Sequence, residues 1–373
     1  MSPTLRSFEV KFSGGARTLC AVGPGALAEL PALCAQAGLS GASQLVCDAR
    51  LLELQGKAVQ ALAAHFGAPL PRPVSEAGKS LAEVEAICNA LAARNLGRDS
   101  FLLALGGGVL TDLAGLAAAL WQRGIPWVAA PSTLLAQVDA GLGGKTGANL
   151  GAGKNLVGAF HQPRLVVCDT ALLATLPARE RWSGLAEVVK CALIAPGEDA
   201  SGLPLLARCE RDLEKAAAGD AESLAALVEA SLRVKARIVS ADEHEGGARA
   251  FLNLGHTVGH ALEAGTRYLR FTHGEAVALG LRSALRISRA RGLLASEAAG
   301  RGLELVSRLQ VAADLALSGE ERERALEALA RDKKARKGVV RFVLLSDLGA
   351  PQLEDVAKEE WTVALDALLQ GTP

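Results

Sequence analysis

The sequence is poor in aromatic residues and has no excess of either charge. Phe, Trp and Tyr make up 3% of the 373 residues, and 40 Lys and Arg balance 40 Asp and Glu. Base-stacking platforms need aromatic side chains, and binding to nucleic acid or to an anionic membrane usually needs a basic surface. We therefore expect neither a nucleic acid nor a membrane as a partner.

Two further absences concern location. The longest clean apolar run, 113–121, is about half of the roughly 20 residues that a spanning helix needs, and the start of the sequence has no apolar signal region. The seven cysteines are an odd number without a CxxC pair, which favours free thiols in a reducing compartment. The sequence predicts a soluble cytoplasmic protein.

The chain is long and apolar enough for two domains. Up to about residue 175, short apolar runs alternate with helical patterns, which is typical of a parallel sheet covered by helices. The predicted strands are 8–12, 19–22, 45–48, 101–105, 127–130 and 165–168. The predicted helices are 25–36, 51–66, 81–95 and 109–122.

Helical spacing dominates the remainder of the chain. Helices are predicted over 185–193, 203–217, 223–239, 256–264, 275–291 and 320–331, with one extended run over 339–345. We therefore predict an α/β fold, in which a Rossmann-like parallel-sheet domain over 1–175 precedes a mainly α-helical domain over 176–373. The active site is expected in the cleft between them.

The segment LALGGGVLTDLAG, 103–115, runs from a buried strand through three glycines into a helix. Glycines let the backbone approach a pyrophosphate, and a helix N-terminus attracts its charge. The spacing is not GxGxxG, so a plain strand-to-helix turn is an equal alternative. Asp48, which ends the run QLVCD, is suited to bind ribose hydroxyls or to serve as a turn or cap residue.

A second glycine-rich segment, 131–155, carries Asp139, Lys145, Lys154 and Asn155. Its GLGGKTG run fails as a Walker A loop because GxxxxGKT would require glycine at position 139. We predict a flexible loop suited to phosphate or polyol recognition. A solvated surface loop is the alternative.

Potential metal ligands lie between residues 187 and 273. Glu187 and Lys190 are three residues apart, and His256 and His260 are four apart, so each pair shares a helical face. His273 follows in THGEAV. A carboxylate and imidazoles beside fixed positive charges suit a divalent metal that meets an anionic, hydroxyl-bearing substrate. The alternative is that the histidines are satisfied core residues, and the basic run RDKKARKG could equally be a solvated face.

Several motifs occur in one order: GGGVLTDLAG, RGIPWVAAPSTLLAQVD, SGLAEVVK, LNLGHTVGHALE, HGEAVALG and RDKK. Together they resemble the 3-dehydroquinate synthases of the sugar phosphate cyclase superfamily, from about residue 48 to residue 345. The resemblance implies a homodimeric lyase that uses NAD and a divalent metal, zinc or cobalt. It implies that a sugar phosphate, 3-deoxy-D-arabino-heptulosonate 7-phosphate, becomes 3-dehydroquinate and phosphate in the shikimate pathway of aromatic amino-acid biosynthesis. The steps would be transient oxidation by NAD, phosphate elimination, reduction and aldol cyclisation.

The resemblance also implies roles for particular residues. The metal ligands would be Glu187, His256 and His273. The catalytic residues would be Lys145, Lys190, Lys235, Arg249, Asn253 and His260. Further substrate contacts would come from Asp139, Asn155, Lys333, Lys334 and, across the dimer, Arg123. The cofactor contacts would be Asp48, Glu76, Lys79, Gly107, Gly108, Val109, Asp112, Ser132, Thr133, Asp139, Lys145 and Lys154.

The chain departs from the family pattern at Ala140 and Gly141, where the family usually has two serines. A small residue here also occurs in relatives that cyclise sedoheptulose 7-phosphate, so such a cyclase is one alternative. A metal-dependent polyol dehydrogenase and a non-catalytic NAD-binding sensor are the others. Asn253 and the DKK run favour the enzyme whose substrate bears a carboxylate.

Overall fold

A computed structural model describes residues 5–195, 202–311, 315–331 and 339–369. The chain divides into two compact units. The first unit comprises Met1–Leu176 and Gly219–His244, and the second comprises Pro177–Ala218 and Glu245–Pro373. None of the helices within the described ranges is long and apolar enough to cross a membrane.

The elements are numbered in chain order. The strands are β1 Arg6–Lys11, β2 Arg17–Gly23, β3 Ser43–Asp48, β4 Leu70–Arg72, β5 Phe101–Gly106, β6 Trp127–Pro131, β7 Lys145–Leu150, β8 Gly153–Phe160, β9 Leu165–Asp169, β10 Val339–Asp347 and β11 Ala350–Ala357. The helices are α1 Leu30–Gln36, α2 Ala49–Leu54, α3 Gly56–Phe66, α4 Leu81–Ala93, α5 Gly108–Leu120, α6 Ala178–Ile194, α7 Leu205–Ala217, α8 Ala221–Ala241, α9 His256–Gly265, α10 His273–Ala290, α11 Ser296–Ser307, α12 Gly319–Arg331 and α13 Lys358–Leu369.

The first unit is built on a seven-stranded sheet in the order β1-β2-β9-β6-β5-β3-β4. Only the edge pair β1–β2 is antiparallel among these pairings. The central strands β5, β6 and β9 are buried along their whole length, which fits their unbroken apolar runs. The predicted α/β class with a parallel sheet is confirmed.

One segment departs from the expected two-domain division. Residues 219–244, expected in the second domain, pack with the first unit as helix α8. Arg6 on β1 pairs with the buried Glu229 at 3.2 Å, and the Arg233 guanidinium stacks 4.4 Å from the centre of the Phe8 ring. Helical periodicity predicted this helix but could not show which neighbours its buried face would meet.

The predicted strands and the later helices are confirmed with small shifts at their ends, except that α6 begins seven residues before the predicted helix 185–193. The predicted helix 51–66 is two helices, α2 and α3, because Gln55 leaves the helical region with a φ of −134°. The predicted helix 25–36 begins as the 3-10 turn Ala26–Glu29. Sequence patterns did not predict β4, β11, α11 or α13.

The expectation of a flexible loop over 131–155 is wrong. Residues Ala136–Ala140 form a π-helical turn, and β7 and β8 pair as an antiparallel hairpin. Glycine makes this pairing possible, because a Cβ on Gly158 would lie 2.1 Å from the backbone oxygen of Thr146. The glycines therefore permit close contact between two strands and do not mark a flexible loop.

The second unit is mainly helical and is centred on α6 and α10. Residues 183–194 of α6 are all buried, and α10 packs against α6, α9, α11, α13 and β10. The β10–β11 hairpin lies on this helical group. The N-termini of α9 and α10 each begin with a histidine, His256 and His273.

Candidate active site

Three potential metal ligands converge in the second unit. Glu187 lies on α6, while His256 and His273 are the first residues of α9 and α10. Oε1 of Glu187 lies 3.6 Å from Nε2 of His256 and 3.5 Å from Nε2 of His273. Two ligands of a tetrahedral ion, each about 2.1 Å from it, lie about 3.4 Å apart. The separations are therefore those of atoms that share an ion, and they exceed normal hydrogen-bond lengths.

Burial and neighbouring charges shift the pKa values of this group. Burial and the Lys190 ammonium lower the pKa of His256 to about 3. Burial alone would lower the pKa of His273, but its contacts with Glu187 and Glu263 raise it to about 10. Burial would raise the pKa of Glu187, yet Lys190 and the two histidines hold it well below its usual range. At neutral pH Glu187 is ionised and His256 is neutral, as metal ligation requires, whereas His273 is protonated and has to release a proton when it binds a metal.

The α6 helix meets the start of α10 through three residues spaced four apart. Arg179 donates two hydrogen bonds to Glu275, at 3.0 and 2.7 Å. The Ser183 hydroxyl accepts a hydrogen bond from the Gly274 amide at 3.0 Å. The third position is Glu187, which faces His273. Glu275 also closes a capping box with Thr272 at the start of α10. This contact therefore fixes the separation between two of the three ligands.

Four other predicted site residues belong to the same unit, and two of them, Lys190 and His260, lie beside these ligands. Lys190 is 1% exposed and forms an ion pair with Glu187. His260 is exposed, with its ring centre 5.2 Å from that of His256, as the helical spacing predicts. Arg249 is buried in the 3-10 turn Ala248–Asn253, and Asn253 at its end donates to Glu245 at 3.3 Å.

In the first unit, the strand order reverses between β3 and β5. The chain continues from β3 outward to β4, but from β5 it continues in the other direction to β6. Open parallel sheets bind ligands beyond the carboxyl ends of the strands at such a switch point. Asp48 ends β3 here, and Gly107 is the N-cap of α5 directly after β5. A Cβ on Gly107 would lie 3.3 Å from Thr133, and one on Gly108 would lie 3.2 Å from Ala140.

A polar cluster beside this turn joins several of the predicted cofactor residues. The buried Lys79 ammonium donates to Asp112 on α5 and to Asn155 on β8, both at 2.5 Å. Glu76 accepts from the Asn149 side chain at 2.8 Å and lies 3.7 Å from the Lys154 ammonium. Burial raises the pKa of Asp112 to about 6, although Lys79 opposes this shift.

The remaining predicted residues have varied settings. Lys235 on α8 forms an ion pair with Asp139 in the π-helical turn. Asp48 caps α2 by accepting from the Arg50 amide at 3.0 Å, so the cap that its position allowed is present. Thr133 accepts from the Ala136 amide at 3.2 Å. The structure places the other described residues as follows: Val109 in the first turn of α5, Ser132 buried after β6, Lys145 exposed at the start of β7, and Arg123 exposed after α5 with a φ of 66°. Lys333 and Lys334 lie outside the described residues.

Comparisons with known proteins agree with these features. Family models for the N-terminal and C-terminal parts of 3-dehydroquinate synthase match residues 70–183 and 184–335. A 3-dehydroquinate synthase of Dichelobacter nodosus is 46% identical over 288 residues, which cover 76% of each chain. This chain belongs to the 3-dehydroquinate synthase family. A 3-dehydroquinate synthase of Geobacter metallireducens is 42% identical over 330 residues, covering 88% of this chain and 89% of the relative.

Two solved structures of synthases have a similar fold. One is ValA, the 2-epi-5-epi-valiolone synthase of Streptomyces hygroscopicus, which was solved with NAD⁺ and Zn²⁺ bound. ValA is 30% identical to this chain, with a TM-score of 0.80. That alignment covers 94% of this chain and 96% of ValA. A 2-deoxy-scyllo-inosose synthase is 23% identical with a TM-score of 0.81, covering 98% of this chain and all of the other, and shows the shared fold alone.

Sequence reasoning missed residues that support the ligands. Glu263, whose Oε1 lies 3.4 Å from Nδ1 of His273, had no assigned role. Neither did Ser183 and Gly274. The spacing of seven residues between His256 and Glu263 could have placed both on one face of α9. Nothing in the sequence could have shown that this face turns towards His273.

Proposed function

We propose that this chain is a 3-dehydroquinate synthase. It converts 3-deoxy-D-arabino-heptulosonate 7-phosphate to 3-dehydroquinate and inorganic phosphate, a lyase reaction of the shikimate pathway. The observation that carries the proposal is the convergence of Glu187, His256 and His273 beside the buried Lys190, in a chain 46% identical to a 3-dehydroquinate synthase. Relatives at 41–47% identity favour this activity over the sedoheptulose 7-phosphate cyclase and the polyol dehydrogenase.

The proposed metal ligands are Glu187, His256 and His273. One carboxylate and two imidazoles suit zinc or cobalt and leave a coordination position for substrate. When bound, the metal would polarise the substrate hydroxyl that is oxidised and lower its pKa. The Lys190 ammonium lies beside Glu187, where it balances the buried carboxylate and can donate a hydrogen bond to a substrate oxygen.

The proposed NAD site lies at the switch point of the parallel sheet. Gly107, Gly108 and Val109 would present backbone amides at the start of α5 to the pyrophosphate. Asp48 would accept from ribose hydroxyls, as the carboxylate at a strand end does in comparable sheets. When bound, NAD would accept a hydride from the substrate and return it in the same turnover. Further contacts would come from Glu76, Lys79, Asp112, Ser132, Thr133, Asp139, Lys145 and Lys154.

The proposed substrate contacts divide by chemistry. Lys145, Asn155 and His260 would bind the phosphate. Lys235 and Arg249 would bind the carboxylate, Arg249 by two parallel hydrogen bonds. For Lys235 and Arg249, the support is their positive charge together with their burial, at 5% and 2% exposure. Asp139, which pairs with Lys235, would orient that ammonium. Lys190, Asn253, Lys333 and Lys334 complete the proposed set.

We also propose a homodimer in which Arg123 reaches the neighbouring subunit's substrate. Arg123 is exposed, and its left-handed backbone follows that of Gln122, with φ values of 66° and 51°. Two consecutive non-glycine residues in this region are uncommon and mark a specific turn. A cytoplasmic location is the last part of the proposal. It is supported by the buried free thiols of Cys20, Cys34, Cys47, Cys168 and Cys209.

The test is phosphate release by metal-free and metal-loaded protein. Purified protein is stripped with a chelator, dialysed, and given the heptulosonate phosphate with a catalytic amount of NAD⁺. Phosphate release should be lost on stripping and should return with zinc or cobalt. A Glu187→Ala variant should stay inactive when metal is added. Full activity in protein verified to be metal-free would contradict the assignment.

A further inference from the structure

The two ring nitrogens of His273 face two different carboxylates. Nε2 lies 3.5 Å from Oε1 of Glu187, the proposed metal ligand. Nδ1 lies 3.4 Å from Oε1 of Glu263 on α9. Because Nδ1 and Nε2 point in different directions from the ring, Glu263 stands behind the ligand while Glu187 stands in front of it. Glu263 is 8% exposed, and the proposed reaction does not use it.

Tight helix packing fixes the position of Glu263. His256, His260 and Glu263 lie on one face of α9, spaced by four and three residues. A Cβ on Gly259 would lie 3.1 Å from the backbone oxygen of Ala276, so α9 and α10 are in close backbone contact. At the end of α9, a Cβ on Gly265 would lie 2.7 Å from the backbone oxygen of Glu321 on α12. Glu263 is therefore held against His273 by rigid elements.

The other histidine of the group has a comparable contact. Nδ1 of His256 lies 3.2 Å from the backbone oxygen of Leu254. A carbonyl oxygen only accepts, so this nitrogen carries the proton and Nε2 keeps the lone pair that a metal needs. A carboxylate behind a histidine ligand has the same effect and also makes the imidazole a stronger donor to the metal.

We propose that Glu263 is a positioning residue that holds His273 in the metal-binding tautomer and orientation. The inference rests on the proposed metal centre. His260, Glu263 and His273 could themselves surround an ion, since their ligand atoms lie within 4.8 Å of one another. Such an ion would bind the nitrogen that faces Glu263, so the imidazole of His273 would lose both protons if both sites were filled. A carboxylate that accepts the Nδ1 proton requires no such loss.

The test measures metal affinity in the full chain by competition with a chromophoric chelator. Glu263→Ala should weaken zinc and cobalt binding about 10- to 100-fold, the usual range for losing such a partner. Glu263→Gln keeps an acceptor oxygen, so its loss should be smaller. The visible absorption of bound cobalt should shift in Glu263→Ala, because the ligand field changes when His273 reorients. Asp212→Asn is the control, since it neutralises a buried carboxylate of the same unit whose ion-pair partners are Arg208, Arg211 and Lys215.

The outcomes separate this inference from the metal site itself. Wild-type affinity and an unchanged cobalt spectrum in Glu263→Ala would overturn the positioning role. Two metal equivalents per chain, falling to one in Glu263→Ala, would also overturn it by making Glu263 a ligand. If Glu187→Ala binds metal as tightly as the wild type, the proposed metal centre fails instead. An equal loss of affinity in Asp212→Asn would mean that destabilisation alone explains the effect.

Discussion

Replacing Gly274 by alanine should damage the metal centre without changing any ligand. Gly274 follows His273 in the first turn of α10 and lies against α6. A Cβ added there would lie 2.1 Å from the backbone oxygen of Ser183 and 2.3 Å from its Cα. Both atoms belong to the backbone of a buried helix, so no side-chain rotation can relieve the contact. The two helices must separate.

The size of the effect follows from these distances. Real Cβ contacts are essentially never shorter than 3.0 Å, so the 2.1 Å contact requires a shift of about 0.9 Å. Overpacking of this kind usually costs about 1–3 kcal/mol of stability. The same shift would move Glu187 and His273 apart from a separation of 3.5 Å, which is close to the roughly 3.4 Å between two ligands of one tetrahedral ion, to one too long for both to bind it. We expect metal affinity to fall at least 10-fold.

The assay combines thermal unfolding with chelator competition for zinc. Gly300→Ala is the matched control. Gly300 lies on α11 in the same unit, and an added Cβ would meet nothing within 4 Å. That change should leave metal affinity unchanged and raise stability by about 0.5–1 kcal/mol, because alanine favours a helix over glycine. Gly274→Ala protein with wild-type affinity and stability would refute the reasoning.

Three further predictions concern charge and assembly. Hydrogen bonding from Arg211 and other cations holds the pKa of the buried Asp212 well below its usual value. The contribution of ionised Asp212 to folding stability is therefore complete above about pH 4 and is lost as the pH falls through this lowered pKa. Asp212→Asn should therefore lower the free energy of unfolding by about 1–3 kcal/mol at pH 7 and by a smaller amount at pH 3, as measured by urea denaturation; an equal loss at both would contradict this. Arg249→Ala should reduce kcat/KM for the heptulosonate phosphate by a factor equivalent to about 1.5–3 kcal/mol of transition-state stabilisation. Equal turnover of sedoheptulose 7-phosphate by the unmodified enzyme would refute a carboxylate-specific role. Arg123→Ala and Lys190→Ala should each be nearly inactive, yet refolding them together should restore about a quarter of the wild-type activity, since one site in each heterodimer keeps both residues; inactive heterodimers would show that Arg123 does not act across subunits.

Local sequence signals were sufficient where one element decides the outcome. The run FLLALGGG predicted both the buried strand β5 and the helix start after it, because unbroken apolar residues and glycine act locally. His256 and His260 were placed on one helical face by their spacing alone, and the structure has them there. The resemblance of the motifs, rather than their spacing, singled out Glu187, His256 and His273 among the possible ligands.

What the sequence did not predict depends on contacts between distant segments. The β7–β8 hairpin has weak strand signals, and its pairing depends on close contact at Gly158. Glu263 looks like any carboxylate on a helix until α9 and α10 pack against each other. Helix α8 has clear periodicity, yet only the buried Glu229 and its partner Arg6 show which unit it joins. Such information belongs to the fold and has no local sequence pattern.

The most direct test of the proposed activity follows product, phosphate and NADH in one reaction. Zinc-loaded protein is mixed with 3-deoxy-D-arabino-heptulosonate 7-phosphate and a catalytic amount of NAD⁺. Carbon NMR detects the carbocycle while absorbance reports NADH. We expect one 3-dehydroquinate for each phosphate released, with no net NADH formed. Stoichiometric NADH, or phosphate without the carbocycle, would contradict it.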